Sequence, residues 1–174
     1  MNFRMILPLC LVMACFLMFS GCGEKMPPGL PKLYPATITV MQDGQPLAGA
    51  EIVVINTDPA TNWSAGGLTD SNGVVKLRTM GRYDGAPLGT YKVGVRKEEI
   101  PNITLPMEVP SDPAEMREYN RIVKDIEDNT FLLVEDKFSI INTQLEVEIT
   151  ASNLNGTVDV SPAVRVKAPP VPKG

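Results

Sequence analysis

A period of two constrains this chain more than any other feature. In "ATITVM" (residues 36–41), Ala36, Ile38 and Val40 alternate with Thr37, Thr39 and Met41. The same alternation returns in "AEIVVI" (50–55) and in "GVVKLRT" (73–79), where Val75 and Leu77 oppose Lys76 and Arg78. It recurs in "TYKVGVRK" (90–97), with Tyr91, Val93 and Val95 opposite Lys92 and Arg96, and in "QLEVEIT" (144–150). A last run, "TVDVSPAVRV" (157–166), breaks at Pro162. Side chains on a strand point alternately to its two faces, so each run presents one apolar and one wet face. Short runs of this kind separated by Gly, Asp and Pro predict an all-β antiparallel Greek-key sandwich of about seven strands.

The punctuation fits. Asp43-Gly44 suits a turn with positive φ. "LTDSNGVVKL" (68–77) has two readings, a calcium loop or a hairpin turn. An EF-hand loop needs ligands at its first, third and fifth positions, Gly at the sixth and an acid at the twelfth. Counted from Asp70, Gly73 comes fourth and the twelfth residue is Gly81. The spacing predicts a turn in which Asp70 accepts bonds from its own backbone and Gly73 takes positive φ.

One segment departs from the strand pattern. "DPAEMREYNRIVKDIED" (112–128) carries helix signals in order: Asp112 as N-cap, Pro113 at N1 and Glu115 at N3 for a capping box. Met116, Tyr119, Ile122, Val123 and Ile126 form one apolar stripe. Arg121–Asp125 and Lys124–Asp128 are spaced for ion pairs on the wet side. The expected role is packing on the sandwich edge or sheet face, with partner docking as the alternative. The preceding "EEIPNITLPMEVPSDP" (98–113) reads as a loop, because its prolines remove donors and fix φ.

The N-terminus speaks to location. After Arg4, "MILPLCLVMACFLMF" (5–19) is uncharged and apolar. That is the length of a signal-peptide core, short of the ~20 residues of a bilayer-spanning helix. "FSGC" (19–22) follows, and resembles the lipobox of bacterial lipoproteins. The resemblance implies diacylglyceryl transfer to Cys22, removal of residues 1–21 and acylation of the new amine. The open alternative is a secreted or membrane-anchored chain in which Cys22 is incidental. Cys10 and Cys15 lie in the leader, so a chain beginning at Cys22 holds no disulfide. Residues 22–35 read as a proline-rich tether, 36–166 as the domain with a loop-helix insertion at 98–142, and 167–174 as a disordered tail.

Three motifs in order carry a wider resemblance. "VMQDGQPLAGAEIVVINT", "GGLTDSNGVVKL" and "GAPLGTYKVGVRK" resemble the carboxypeptidase regulatory-like domain. The layout is similar to small lipoproteins of planctomycete-like bacteria that carry this domain. The resemblance covers about residues 35–166. It implies a transthyretin-like, prealbumin-type sandwich.

Composition narrows the chemistry. The chain has no histidine. Ser-His-Asp triads, Cys-His pairs and histidine zinc sites are therefore excluded. There is no glycine-rich phosphate loop before a helix. No catalytic residue, metal ligand or cofactor site is expected. Arg4 is the only charge before Cys22, so the rest carries 15 basic and 20 acidic residues. That balance argues against nucleic acid. Two loops could bind a ligand: the one holding Trp63, the single tryptophan, and the one holding Arg82, Tyr83 and Asp84. The expected function is a non-enzymatic, lipid-anchored cell-envelope protein. Its membrane attachment is the lipid, and its partners are glycans or other envelope proteins. Alternatives are a structural spacer assembling laterally and an unrecognised hydrolase built on a carboxylate pair.

Overall fold

The computed structural model describes residues 26–61 and 63–169. The chain divides into two units, Met1–Leu30 and Pro31–Gly174. In the first, the described residues 26–30 form a turn in which Leu30 N–H donates to the Pro27 carbonyl at 3.2 Å. Cys22 lies outside the described residues. Everything below concerns the second unit.

That unit is an all-β sandwich with one helix. Its strands are β1 (Thr37–Gln42), β2 (Gln45–Pro46), β3 (Glu51–Asn56), β4 (Ser64–Leu68), β5 (Val74–Lys76), β6 (Arg78–Thr79), β7 (Tyr83–Asp84) and β8 (Gly89–Arg96). There follow β9 (Glu98–Glu99), helix α1 (Pro113–Asp128), β10 (Phe131–Leu132), β11 (Glu146–Ile149), β12 (Asn155–Asp159) and β13 (Val166–Lys167). One sheet runs β11-β8-β3-β4-β6-β7. The second runs β12-β1-β2, with β5 also paired to β1. A small third sheet runs β13-β10-β9.

The alternation read from the sequence is what fills the space between the two large sheets. Ile38 and Val40 from β1, Val75 from β5 and Val158 from β12 face Ile52 and Val54 from β3, Tyr91, Val93 and Val95 from β8, and Val147 and Ile149 from β11. All are buried in one cluster. Leu77 sits between β5 and β6 and is 1% exposed. There the chain leaves the second sheet for the first, with Leu77 as the corner. Asp43 (φ +49) and Gly44 (φ +73) form the two-residue turn joining β1 to β2, as the Asp-Gly pair predicts.

Most pairings are antiparallel; β1 with β12 is parallel. β12 arrives from a tight turn after β11, Thr150 to Asn153, and so enters the second sheet along the direction of β1. Asp43 fastens this closure: its N–H donates to the Ser161 hydroxyl at 2.8 Å, and its carboxylate accepts the Ala163 N–H at 3.0 Å.

Two boundaries shift. Tyr34, in the expected tether, exchanges two backbone bonds of 2.9 Å with Ala86 and belongs to the domain. Lys167, the first residue of the expected tail, lies in β13 and pairs with Asp128 at 2.9 Å; residues 170–174 are outside the described ones.

α1 starts as read. The Asp112 carboxylate accepts the N–H groups of Ala114 (2.8 Å) and Glu115 (3.2 Å), although Glu115 does not return the bond. Its charges pair differently: Arg121 grips Glu118, one turn back, and Asp128 reaches Lys167. Its apolar stripe does not pack broadly on any strand, and no residue of the helix is buried. The expected packing on a sheet face or edge is thus corrected: α1 is held by its C-terminal end. There Thr130 Oγ1 donates to the Ile126 carbonyl, and Ala168 N–H donates to the Thr130 carbonyl.

Candidate functional site

The two candidate loops meet at one end of the six-stranded sheet. β4 begins immediately after Trp63, and β6 and β7 form the neighbouring hairpin. Met80 N–H donates to the Ser64 carbonyl at 3.0 Å, which sets the Trp63 strand beside the 80–82 turn. Trp63 and Tyr83 are half-buried; Arg82 and Asp84 are exposed.

The hairpin is tied from within. Thr79, fully buried, donates both its N–H (3.1 Å) and its hydroxyl (2.7 Å) to the Gly85 carbonyl. Arg78 Nε donates to the Asp84 carboxylate at 3.1 Å, and another guanidinium nitrogen donates to the Arg82 carbonyl at 2.9 Å. The Arg78–Asp84 pair is solvent-exposed and adds little stability; its effect is to aim both side chains. Met80 has φ +56, a left-handed conformation that costs a residue with a Cβ about 1–2 kcal/mol. Its side chain is half-exposed at the tip, not packed in the core. Strain of this kind persists only where the surrounding bonds over-determine it, and it collects at binding surfaces.

A concavity of about 840 Å³ opens along the outer face of β4 from this hairpin. Gly66 and Leu68 form part of its lining, with Lys76 and Arg78 along one side and Glu51 and Asp70 along another. Leu68 is 69% exposed within it. The Asp70 turn forms its rim and is built as the spacing requires. One carboxylate oxygen of Asp70 accepts Asn72 N–H (2.8 Å) and Val74 N–H (3.0 Å), and Gly73 has φ +70.

Of the residues singled out from the sequence, Trp63, Arg82, Tyr83 and Asp84 come to this end of the sheet. Lys76, Arg78 and Leu68 were not anticipated as site residues. The alternation had placed Lys76 and Arg78 on the wet face, which was the available signal. The loop holding Trp63 also needs correction: it ends there, since Ser64 to Leu68 form β4. Glycine is depleted in strands, which hid this one.

The carboxyl groups held below their ordinary range lie elsewhere. Arg165 lowers Glu99, Arg121 lowers Glu118, Lys167 lowers Asp128, and the Ser161 hydroxyl lowers Asp159, each chiefly by hydrogen bonding. Among the described residues no group of three or more His, Cys, Asp or Glu is placed to hold a metal ion, and no helix is long and apolar enough to cross a membrane. The concavity offers a half-apolar floor with separated cations and carboxylates at its margins, a surface suited to holding a polar ligand with an apolar face. In comparison with known proteins, no family model, no curated protein and no solved structure matches the chain.

Proposed function

We propose that this chain is a non-enzymatic, lipid-anchored protein of the bacterial cell envelope, related to lipoproteins with a carboxypeptidase regulatory-like domain, and that it binds glycans at the β4/β6-β7 end of its sandwich. The anchor rests on the apolar leader ending in Ser-Gly-Cys22. Each buried methylene contributes about 0.8 kcal/mol, so several acyl chains on one cysteine make release negligible. The observation carrying the binding reading is the left-handed Met80, whose apolar side chain is half-exposed in a turn bonded to Ser64, the residue after Trp63. A tryptophan ring and a methionine side chain give a sugar ring an apolar face to rest on. Arg78, Asp84 and Lys76 supply hydrogen-bonding groups around it.

Two experiments test the two halves. Cys22→Ser is expected to leave an unprocessed precursor and to abolish palmitate labelling; labelling at the unaltered level refutes the anchor. Trp63 is the only tryptophan, so its fluorescence reports on the loop without a label. Glycans retained on an array are expected to shift its emission, and Trp63→Ala to weaken their retention by about tenfold or more. Equal retention by the variant refutes the site.

A further inference from the structure

α1 carries an apolar stripe that no strand covers broadly and that runs beside an open groove. Met116, Tyr119, Ile122, Val123 and Ile126 are each half-buried, and every other residue of the helix is exposed. A helix of this length is marginal in water by itself, and most helical stability in proteins comes from packing an apolar face. Beside the stripe, the 106–111 loop leaves a groove of about 520 Å³ whose floor includes Val109, Tyr119 and Ile122. Val109 is 66% exposed, and Met107 in the same loop is fully exposed.

The rim of this groove has one sign. Glu108, Glu115 and Glu118 line it. Glu118 is paired with Arg121, whereas Glu108 and Glu115 have no ion-pair partner among the described residues. By the 3.6-residue period, Arg117 falls on the far side of the helix. An apolar floor between unpaired carboxylates is complementary to a segment that carries both apolar and positively charged side chains. It is a poor match for a second copy, since a two-fold contact would set these carboxylates against each other in a chain whose formal charge is −4. It is equally poor for an anionic lipid surface, which recruits basic segments.

We propose that the groove between α1 and the 106–111 loop docks a cationic, amphipathic segment of a partner protein. This surface is separate in residues from the glycan-binding end, and each reading stands without the other.

The test uses the full chain in phosphatidylcholine nanodiscs. The probe is a fluorescein-labelled peptide of Lys and Leu at helical spacing, about 15 residues long so that it can form a stable face. Fluorescence anisotropy is expected to show saturable binding. Glu108→Lys with Glu115→Lys should weaken it more than about tenfold and create binding of the counterpart peptide with Glu in place of Lys. Glu146→Lys with Glu148→Lys, on β11, should leave it within about twofold. The proposal is overturned if the peptide does not bind or if both charge-reversed pairs lose binding equally. It is also overturned if Tyr119→Ala abolishes self-association in sedimentation, or abolishes capture on anionic vesicles, while peptide binding stays unchanged.

Discussion

Gly66→Ala is expected to destabilise the sandwich by about 3 kcal/mol or more, although it adds a single methyl group. The Cβ would lie 2.1 Å from the Ile52 carbonyl oxygen, 3.2 Å from its carbon and 3.3 Å from Val53 Cα. All three atoms are backbone of β3, which is clamped between β4 and β8. No rotamer relieves such a contact; β4 must move off β3. Overpacking costs about 1–3 kcal/mol where side chains can shift, and more where only backbone can. For a domain of this size, that lowers the thermal midpoint by about 6–12 °C. Gly44→Ala is the control. Gly44 has φ +73 with no atom within 4 Å of an added Cβ, so only the left-handed conformation is charged, about 1–2 kcal/mol. Urea unfolding of both variants checks the difference, and equal losses would show that the β3–β4 approach is not the cause.

The second large effect is at Tyr91. Its ring is 1% exposed in the core, and its hydroxyl donates to the carbonyl of buried Pro87 at 2.8 Å, four residues upstream. Tyr91→Ala removes a buried aromatic ring and is expected to cost about 3–5 kcal/mol. Tyr91→Phe keeps the ring but strands the Pro87 carbonyl, for about 1–2 kcal/mol at neutral pH. Burial raises the phenol above its ordinary value of 10.0, with a hydrogen bond from Asn56 pulling weakly the other way. The unfolded phenol therefore ionises first. The contribution is complete below pH 10 and is lost as pH rises through the higher folded-state pKa. Urea unfolding from pH 8 to 12 is expected to show the unaltered protein losing stability faster than Tyr91→Phe. Parallel curves would mean that Tyr91 does not sense alkali. The other three tyrosines are common to both proteins, so the difference isolates this one.

What could be read in advance was whatever leaves a period. β1, β3, β5 and β11 bury alternate residues, as β8 does apart from its buried Gly94, and that pattern survives in the chain as written. α1 was legible because its cap is local: Asp112, Pro113 and the first turn lie within a few residues of one another. β4 was not, because Gly66 and Gly67 carry no alternation; Gly66 is there to let β3 come close. The parallel partnership of β1 with β12 joins residues more than a hundred positions apart and leaves no local trace. The candidate site divides along the same line. Trp63 and the Arg82–Asp84 loop stand out by composition, but the concavity beside them is assembled from β3, β4 and β5–β6, and only the folded register places Lys76 and Arg78 on its margin. The helix stripe was visible as a stripe; that no strand would pack broadly on it was not.

The β1–β12 pairing also sets an order of events. Thr37 to Met41 lie against Asn155 to Asp159, so the first described strand takes its flank from the last but one. A chain emerging N-terminus first, from a ribosome or through a translocation pore, carries β1 with that flank bare until Asn155 to Asp159 are out. Long-range pairing of this kind slows folding. Closure of the second sheet therefore waits for β12, and a chain truncated before Asn155 would leave β1 open to the nearest stray strand.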